Sequence, residues 1–365
     1  MAEGFTYVPE MELWKSLNVF YTSYGHLTKS KVLPEVVETA YAILQKIQET
    51  SEMFKGEVVK VGSSASKVSA MFDDESDLLF PIYIEGQIEA TEDPEYVKFK
   101  LLKRCVKIWE ICSDNEYLSP SKFSNHFYDL VNNCLEKLKP DGKIELEGKG
   151  TVAATLNCCH EKFDFSVDLV PAVRCKPWST NPYWMTDKTR QWPPRDILAS
   201  FIERGTELVS KSSRDGGNYW RLSFSHAETE LVTSATLIFP TFGKLLVIWK
   251  TLRKLYFSPQ SRHSTILFKS YHLKILLLHE AIDNPNKEAW ENQNLALRFK
   301  LSLERLRQYI KAGFLPHLFI PTVNLFSNGT PYFVLNHKLF TTSDLADVMR
   351  NIRKLHRTDF YPGGF

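Results

Sequence analysis

Two acidic residues stand at the start of an apolar run, in a spacing that suits metal-assisted chemistry. Glu75 and Asp77 precede the mainly apolar residues 78–84, a pattern that predicts a β-strand. Alternate residues of a strand point to the same face of a sheet, so both carboxylates would lie on one face. Carboxylates held this close repel each other. Mg²⁺ would relieve the repulsion, because it binds oxygen ligands and often takes one or two carboxylates together with substrate phosphates.

A glycine-serine pair precedes these acids along the chain. Gly62 and Ser63 follow a short apolar run, and a turn here would offer backbone N–H groups and a hydroxyl to a phosphate. A Gly-Ser turn, a spacer and Glu-x-Asp before an apolar strand are typical of nucleotidyltransferases. The same residues also fit an acidic turn, residues 73–77, that leads into a strand. The local pattern does not choose between these two interpretations.

A site for two metal ions needs a third carboxylate from a neighbouring strand. Residues 163–169 alternate between apolar and polar side chains, which predicts a strand with one buried face and one face that carries carboxylates. Asp168 is the predicted ligand, because apolar residues 169–170 follow it where the strand would enter a core. Asp164 is the alternative, and a strand with a solvated polar face would show the same alternation.

The composition indicates a soluble protein with a sizeable core. The chain has 365 residues, 43% of them hydrophobic, and a net charge of +2, so affinity for nucleic acid must come from a local basic patch. The six cysteines show no Cys-x-x-Cys spacing, which favours reduced thiols, and we expect a cytoplasmic location. No signal-peptide pattern and no apolar run near the roughly 20 residues that span a bilayer are present, so no membrane partner is expected.

Strand patterns come early in the chain and helical patterns dominate later. Residues 13–51 have helical spacing, with Pro34 either kinking a long helix or beginning a second one. A helix is predicted over residues 119–138 and a strand meander over residues 143–173. Residues 176–194, rich in Pro and Trp, are predicted to form a crossover between lobes. Further helices are predicted over residues 197–208, 244–255, 264–279, 289–312 and 342–355. The sequence therefore predicts an α+β fold with a helical second lobe.

Basic residues are concentrated in the N-terminal helical region and in residues 95–112. The second region has the highest basic density of the chain, and it fits either a solvated face or a patch that faces phosphates. The candidate ligand-binding surface comprises Lys15, Lys29, Lys31, Lys46, Lys98, Lys100, Lys103 and Arg104.

Three further motifs accompany the acidic residues. They are Tyr-Trp-Arg-Leu-Ser-Phe-Ser-His-Ala-Glu at residues 219–228, Lys-Ser-Tyr-His-Leu-Lys at residues 269–274, and Phe-Ile-Pro-Thr-Val-Asn-Leu-Phe at residues 319–326. Together with the Gly-Ser turn and the three acids, they closely resemble the cyclic GMP–AMP synthase-like family. That family includes cyclic GMP–AMP synthase, the cyclic GMP–AMP synthase-like receptors of animals and the male-abnormal developmental relatives. The resemblance extends from about residue 55 to residue 326.

The resemblance implies a bilobal nucleotidyltransferase. Residues 1–195 would form a mixed-sheet catalytic lobe with a long N-terminal spine helix, and residues 196–365 a helical lobe that completes the nucleotide cleft. The implied activity is the ligand-dependent joining of ATP and GTP, or a similar pair, into a cyclic dinucleotide with Mg²⁺ or Mn²⁺. Glu75, Asp77 and Asp168 fall on the metal-binding acids. The implied nucleotide contacts are a phosphate-holding turn (Gly62, Ser63), base readers (Arg221, Ser223, Ser225), a second-nucleotide contact (Glu228), a triphosphate contact (Lys250), and a phosphate contact with a stacking ring (Ser270, Tyr271).

One departure concerns the zinc-bearing thumb that cyclic GMP–AMP synthase builds from a histidine and three clustered cysteines. No cysteine follows Cys175, so the segment after His226 cannot supply the roughly four N or S ligands that zinc needs, and we expect no zinc. The departure favours a receptor that responds to double-stranded RNA over a DNA sensor. Such RNA is recognised by shape and backbone, which calls for a lysine-rich groove. A dimer formed on the ligand is left open.

Two other functions fit the same residues. A catalytically silent nucleotide- or RNA-binding signalling protein on this fold would not need the three acids, and this chain retains all of them. An RNA-tailing or oligoadenylate-making nucleotidyltransferase would release a linear product, which phosphatase attacks and which a ring resists. On residue type alone, Lys250 also fits a solvated lysine and Tyr271 a core aromatic.

Overall fold

The structure is a computed structural model. It describes residues 9–24, 33–69, 75–138, 144–149, 152–160, 163–211, 218–256 and 269–327. The helix predicted over residues 342–355, and Lys29 and Lys31 of the candidate ligand-binding surface, lie outside the described residues.

The described strands form one 11-stranded mixed sheet. They are β1 Val59–Val61, β2 Glu75–Tyr83, β3 Gly86–Ala90, β4 Tyr96–Leu101, β5 Ser113–Asp114, β6 Tyr117–Leu118, β7 Ile144–Leu146, β8 Ala154–His160, β9 Phe163–Cys175, β10 Thr206–Ser210 and β11 Trp220–Ser223. The main path runs β1-β2-β9-β10-β11-β4-β6-β5, while β3 pairs with β4 and the β7–β8 pair joins β9. The β2–β9 pair is parallel, and the other described pairs are antiparallel.

Helices precede, interrupt and follow these strands. In the described part of the chain they are α1 Glu10–Tyr24, α2 Leu33–Thr50, α3 Gly62–Ala65, α4 Lys103–Val106, α5 Pro120–Leu138, α6 Tyr183–Thr186, α7 Arg195–Arg204, α8 Ser225–Ile238, α9 Phe242–Tyr256, α10 Ser270–Asp283 and α11 Leu295–Ala312. Pro34 lies in the first turn of α2, where proline fits because the N–H groups of that turn have no partner within the helix. This agrees with a helix that begins at the proline. The α+β class and the helices around residues 13–51 and 119–138 are confirmed.

One face of the sheet packs against α2 and α5. Period-two alternation on β2 sends Leu78, Phe80 and Ile82 into the main core, where they are 0–2% exposed. Phe54, which follows α2, packs on the α5 residue Phe123 with ring centroids 5.1 Å apart. This buried face fixes the register of β2, because a one-residue slip would turn every side chain of the strand to the opposite face. The opposite face of the strand carries Glu75 and Asp77 at its start, followed by Leu79, which is buried in a small apolar cluster with Val61, Ala172 and Val209.

The C-terminal helices form a second packed unit around large aromatic residues. Trp249 on α9 stacks on Phe299 of α11 at 4.9 Å, and its indole N–H donates to Ser302 at 2.9 Å. Helix α11 ends at Gly313, whose φ of 64° is the left-handed conformation that glycine adopts at a helix C-terminus. The indole N–H of Trp14 on α1 donates to the backbone oxygen of Asn292 at 2.8 Å, so α1 is attached to this unit.

Among the strands that were not predicted, β10 and β11 lie inside the region expected to be helical. The helix predicted over residues 197–208 ends at Arg204, and Thr206–Ser210 instead forms β10 between β9 and β11. Gly205 has a φ of 86°, and a Cβ there would lie 2.4 Å from the Cys175 backbone oxygen. Strand pairing therefore replaces helix at this glycine, where the backbones approach too closely for a side chain. The sheet thus continues beyond residue 196, and the predicted lobe boundary stays a prediction.

No single helix among the described residues is both long and apolar enough to cross a bilayer; one pair, Ser225–Ile238 with Phe242–Arg253, passes by length and composition but is bent by 118°.

Candidate functional site

The three predicted acids lie on two neighbouring strands inside the sheet. Strands β2 and β9 are parallel neighbours, and Asp77 pairs directly with Asp168 while Glu75 pairs with Ser166. Paired residues of adjacent strands project from the same face, and residues two apart along a strand also share a face. Glu75, Asp77 and Asp168 therefore lie on the face opposite the main core. The predicted choice of Asp168 agrees with this register, while the side chain of the alternative, Asp164, is not among those that the structure describes.

The electrostatics of this cluster suit a divalent cation. Burial, then the charges of Asp168 and Glu75, raise the pKa of Asp77 to about 6. Thr155 on β8 donates to Oδ1 of Asp168 at 2.6 Å, which orients that carboxylate. Among the described residues no three His, Cys, Asp or Glu side chains are already gathered closely enough to hold a metal ion, and Glu75 is exposed. The donor set nevertheless fits Mg²⁺ or Mn²⁺: the ligands are hard carboxylate oxygens whose repulsion a cation would relieve.

The Gly-Ser turn lies directly beside Asp77. Strand β1 pairs Val61 with Asp77, and Gly62 begins α3 at the next residue with a φ of 79°. A Cβ on Gly62 would lie 2.5 Å from Oδ2 of Asp77, so only glycine permits this approach. The Gly62 N–H donates to Oγ1 of Thr229 on α8 at 3.0 Å. The turn is therefore held against both the acids and α8.

The predicted base readers lie on the same face as the acids. On β11, Arg221 pairs with Val209 and Ser223 with Glu207, while β10 pairs Val209 with Ala172 of β9. Ala172 is four residues beyond Asp168, so alternation places Arg221 and Ser223 on the acidic face. Arg221 donates to Oε1 of the buried Glu95 at 2.9 Å, and the hydroxyl of Ser223 lies 3.3 Å from that of Ser225.

Helices α8 and α10 place the remaining predicted contacts opposite this face. Tyr271 donates its hydroxyl to Oε1 of Glu228 at 2.8 Å, and Lys274 donates to Oε2 at 2.5 Å. Lys274 also lies over the Tyr271 ring, 4.8 Å from its centroid, so one face of the ring is covered. Glu228 is 3% exposed and is fixed by both partners. The Tyr271 ring is half-buried and also packs against the hydrophobic core, and its stacking on a base stays a prediction.

Lys250 connects the helical unit to the Gly-Ser turn. Its ammonium group donates to the backbone oxygen of Val68 at 3.3 Å, and only 7% of the residue is exposed. The charges of Lys274 and Lys250 act to lower the pKa of Asp77, against the larger raising effects. Both lysines thus act electrostatically on the acidic cluster. Ser270 is the first residue of α10, next to the predicted stacking ring.

Sequence reasoning missed several polar residues of the cleft. Partial burial and the charges of Arg221 and Lys269 lower the pKa of Lys211 to about 8, although its side chain still reaches solvent. Three cationic side chains therefore converge at the end of β10, where phosphate groups would neutralise them. Lys211 was missed because β10 was missed. Lys274 could have been found, since it lies three residues after Tyr271 and thus on the same helix face.

The described residues of the candidate ligand-binding surface lie in separate parts of the structure. Lys15 is exposed on α1, which packs against α9 and α11, whereas Lys46 lies on α2 beside the sheet. The end of α2 and Lys107 line one cavity of about 550 Å³, so α2 lies beside the basic stretch after β4. Surface ion pairs neutralise three of these residues: Lys46–Glu49 at 3.1 Å, Lys100–Glu116 at 3.0 Å and Arg104–Glu85 at 2.6 Å. Lys98 lies over the Tyr219 ring, and Lys103 is exposed.

His226, at the position where a zinc ligand was considered, lies between two carboxylates. Its Nδ1 is 3.5 Å from Glu207 and its Nε2 is 3.5 Å from Glu230. The described cysteines Cys105, Cys112, Cys134, Cys158 and Cys175 are free thiols. The absence of zinc stays a prediction.

Comparison with known proteins agrees with this geometry. Residues 67–234 match the family described as Mab-21 protein nucleotidyltransferase domain, and residues 243–352 match the Mab-21 protein HhH/H2TH-like domain. The chain belongs to the Mab-21 family. The first match covers β2, β9, β10 and β11, which carry the acids and Arg221, and the second covers α9 to α11. The predicted resemblance is thereby confirmed.

Three proteins that are similar to this chain share about a quarter of their aligned residues with it. Cyclic GMP–AMP synthase of Mus musculus is 26% identical over 324 residues, which cover 82% of this chain and 63% of that protein. A cyclic GMP–AMP synthase-like receptor of Magallana gigas is 25% identical over 282 residues, covering 73% of this chain and 47% of that protein. Cyclic GMP–AMP synthase of Sus scrofa is 26% identical over 308 residues, which cover 78% of this chain and 61% of that protein. The chain thus spans about half to three-fifths of the length of these relatives.

Two buried histidines of the helical unit make the stability depend on pH. Burial lowers the pKa of His272 and of His317 to about 4, and each residue is 3% exposed. An unfolded histidine titrates near 6.5, so between these values the unfolded chain binds more protons than the folded one. Stability should be complete above about pH 6.5 and should fall as the pH drops, by about 2 kcal/mol per histidine at pH 5. Urea titrations at pH 8 and pH 5 measure this, and an unchanged free energy of unfolding would refute it.

Proposed function

We propose that this protein is a ligand-activated nucleotidyltransferase that makes a cyclic dinucleotide of the cyclic GMP–AMP type from ATP and GTP. The observation that carries the proposal is the direct pairing of Asp77 with Asp168 on adjacent parallel strands, with Glu75 two residues away on the same face. The Gly62 turn beside Asp77 and the cationic residues across the cleft support a triphosphate substrate at this site. The names of the relatives point to the same product class.

The chain's own residues divide the work of the reaction. Glu75, Asp77 and Asp168 would hold Mg²⁺ or Mn²⁺, which when bound lowers the charge on the α-phosphate and the pKa of the acceptor hydroxyl. The turn of Gly62 and Ser63, through the N–H group and hydroxyl of Ser63, would hold the donor triphosphate together with Lys250 and Lys274 across the cleft. The acceptor hydroxyl gives its proton to a carboxylate of the acidic cluster and its oxygen attacks the α-phosphorus. The bond from the α-phosphorus to the oxygen that bridges to the β-phosphate breaks, and pyrophosphate leaves. A second transfer of the same kind closes the ring after the linear product has turned around.

The cleft would orient two bases by different means. Arg221 and Ser223 on the acidic face, with Ser225 beside Ser223 at the start of α8, offer hydrogen-bond donors, which suits base edges. Tyr271, half-buried beside Glu228, would stack on a base, an interaction of about 1–3 kcal/mol per base in single-strand systems. Together these groups could hold two nucleotides with their α-phosphates near the acids.

Double-stranded RNA is our proposed activating ligand, and the cytoplasm our proposed location. The basic residues on α2 and after β4 support the first proposal, since their exposed ion pairs are weak enough for a polyanion to displace. A dimer of two chains on one ligand belongs to the same proposal.

A product screen tests the proposed function. Purified protein is mixed with all four labelled nucleotides and Mg²⁺ or Mn²⁺, with and without double-stranded RNA and DNA. We expect a phosphatase-resistant product that needs ATP, GTP and RNA. A phosphatase-sensitive product would indicate the linear-product alternative. No turnover with a broad panel of ligands would favour the catalytically silent signalling protein, for which the fold alone is needed.

A further inference from the structure

His317 belongs to none of the sequence motifs that predict the site, yet it contacts residues on both sides of the cleft. It lies in the loop after α11 and is 3% exposed. Its ring nitrogens bond to the loop's own backbone and to Tyr271. We propose that His317 is a positioning residue that fixes the Tyr271 ring and the Glu228 carboxylate for the second nucleotide. This inference rests on the proposed function, because it assigns a task within the same cleft.

The backbone around His317 determines which ring nitrogen carries the proton. The N–H groups of Phe319 and Ile320 donate to Nδ1 at 3.1 and 3.2 Å, so Nδ1 must be unprotonated. The single proton of the neutral ring therefore resides on Nε2. Burial lowers the pKa of His317 to about 4, so the ring is neutral at physiological pH and keeps one acceptor and one donor.

The N–H group at Nε2 of His317 faces Tyr271 in the nucleotide cleft. Its Nε2 lies 3.2 Å from the hydroxyl oxygen of Tyr271, which itself donates to Oε1 of Glu228. Since the Tyr271 proton is directed to Glu228, the oxygen of Tyr271 accepts from His317. The resulting chain of hydrogen bonds runs in one direction from the loop backbone to Glu228. Each member of such a chain polarises the next, and all orientations are fixed together.

The ring of His317 also packs against the segment that carries the base readers. Its centroid is 5.3 Å from that of Phe224, which lies between Ser223 and Ser225. Phe224 in turn stacks on Phe319 at 4.5 Å with an interplanar angle of 9°. One side chain thus links the loop after α11 to β11, α8 and α10. A movement of that loop would therefore displace the Tyr271 ring and the base readers together.

The tautomer can be measured without any nucleotide. In protein labelled with ¹⁵N at histidine, we expect the His317 ring at pH 7 to show a proton on Nε2 and none on Nδ1, assigned by loss of the signal in His317→Asn. A proton on Nδ1, or a doubly protonated ring, would overturn the inference whatever the enzyme does.

A double-mutant cycle tests the action through Tyr271. His317→Asn keeps an acceptor for the Phe319 and Ile320 N–H groups but removes the donor to Tyr271. Tyr271→Phe removes that hydrogen bond together with the one that the Tyr271 hydroxyl donates to Glu228. We expect each to weaken binding of a non-hydrolysable ATP or GTP analogue about tenfold, and the double mutant to be no weaker than the singles within about twofold. His317→Gln, whose amide N–H reaches farther, should restore binding to within about threefold of the parent protein.

His279→Asn is the matched control for a purely structural role. His279 is also buried, at 7% exposure, and its Nε2 bonds to the backbone oxygen of Pro316, beside His317. The His279→Asn substitution should lower the urea midpoint without changing nucleotide affinity. Independent, additive effects of His317→Asn and Tyr271→Phe would overturn the inference and leave the proposed function standing. A parent protein that binds neither analogue would overturn both.

Discussion

Asp77→Asn and Asp168→Asn should each abolish nucleotidyl transfer, by about a thousandfold or more, while the protein stays folded. The pairing of these residues across β2 and β9 places both carboxylates at one point, and an amide cannot replace a carboxylate as a charged ligand. The measurement is Mg²⁺-dependent release of pyrophosphate from labelled ATP and GTP. Asp129→Asn is the matched control, because Asp129 is an exposed aspartate on α5 that pairs only with Lys149 among the ion pairs described; it should keep full activity.

The stability of the Asp77→Asn variant distinguishes a lost ligand from a damaged fold. Burial and two neighbouring carboxylates raise the pKa of Asp77 to about 6, so ionising it at neutral pH costs up to about 3 kcal/mol without a cation. The uncharged amide avoids this cost, and the variant should be about 1–3 kcal/mol more stable than the parent in urea with chelator present. An inactive variant that is also less stable would point to misfolding. Retained activity would show that Asp77 is not a ligand.

Gly62→Ala should reduce nucleotidyl transfer by about a hundredfold or more and should also destabilise the protein. The added methyl group would lie 2.5 Å from Oδ2 of Asp77, and the φ of 79° is strained for any residue with a Cβ. The strain costs about 1–2 kcal/mol, and the clash displaces the carboxylate or the turn. Activity and urea midpoints measured side by side check this prediction.

Gly148→Ala is the matched control for that substitution. A Cβ on Gly148 would have no neighbour within 4 Å, so the same chemical change should leave activity and stability within error of the parent. If Gly62→Ala behaves like Gly148→Ala, the turn does not need to approach Asp77 and its assignment to the donor phosphates fails. Gly62→Ala should lower the free energy of unfolding and Asp77→Asn should raise it, so the sign of the stability change separates the two mechanisms.

The sequence was informative where residues suited to metal binding also lie in a clear strand pattern. The apolar run after Asp77 predicts the strand, and the alternation around Asp168 predicts a second strand with its carboxylate on the polar face. The register that brings Asp77 beside Asp168 could not be predicted from either strand alone, because it is fixed by parallel pairing across about 90 residues of intervening chain. The family resemblance indicated that these two carboxylates belong to one site, which no pattern within either strand could indicate.

The features that were missed depend on tertiary contacts. Strand β10 is only five residues long and is buried throughout between β9 and β11, so its strand character comes from its neighbours. Lys211 was overlooked with it. His317 carries no signal in its own segment, since its importance lies in a hydrogen bond to Tyr271, 46 residues away.

Binding of Mn²⁺ tests the central claim most directly, because it reports on the acidic cluster without requiring turnover or an activating ligand. Electron paramagnetic resonance of the protein titrated with Mn²⁺ and a non-hydrolysable ATP analogue should show at least one tightly held ion in the parent chain. Asp168→Asn, which removes the carboxylate contributed by β9, should weaken this binding by about tenfold or more. If Asp168→Asn and the parent bind Mn²⁺ equally well, the three carboxylates do not form one site, and catalysis by a shared metal site is contradicted.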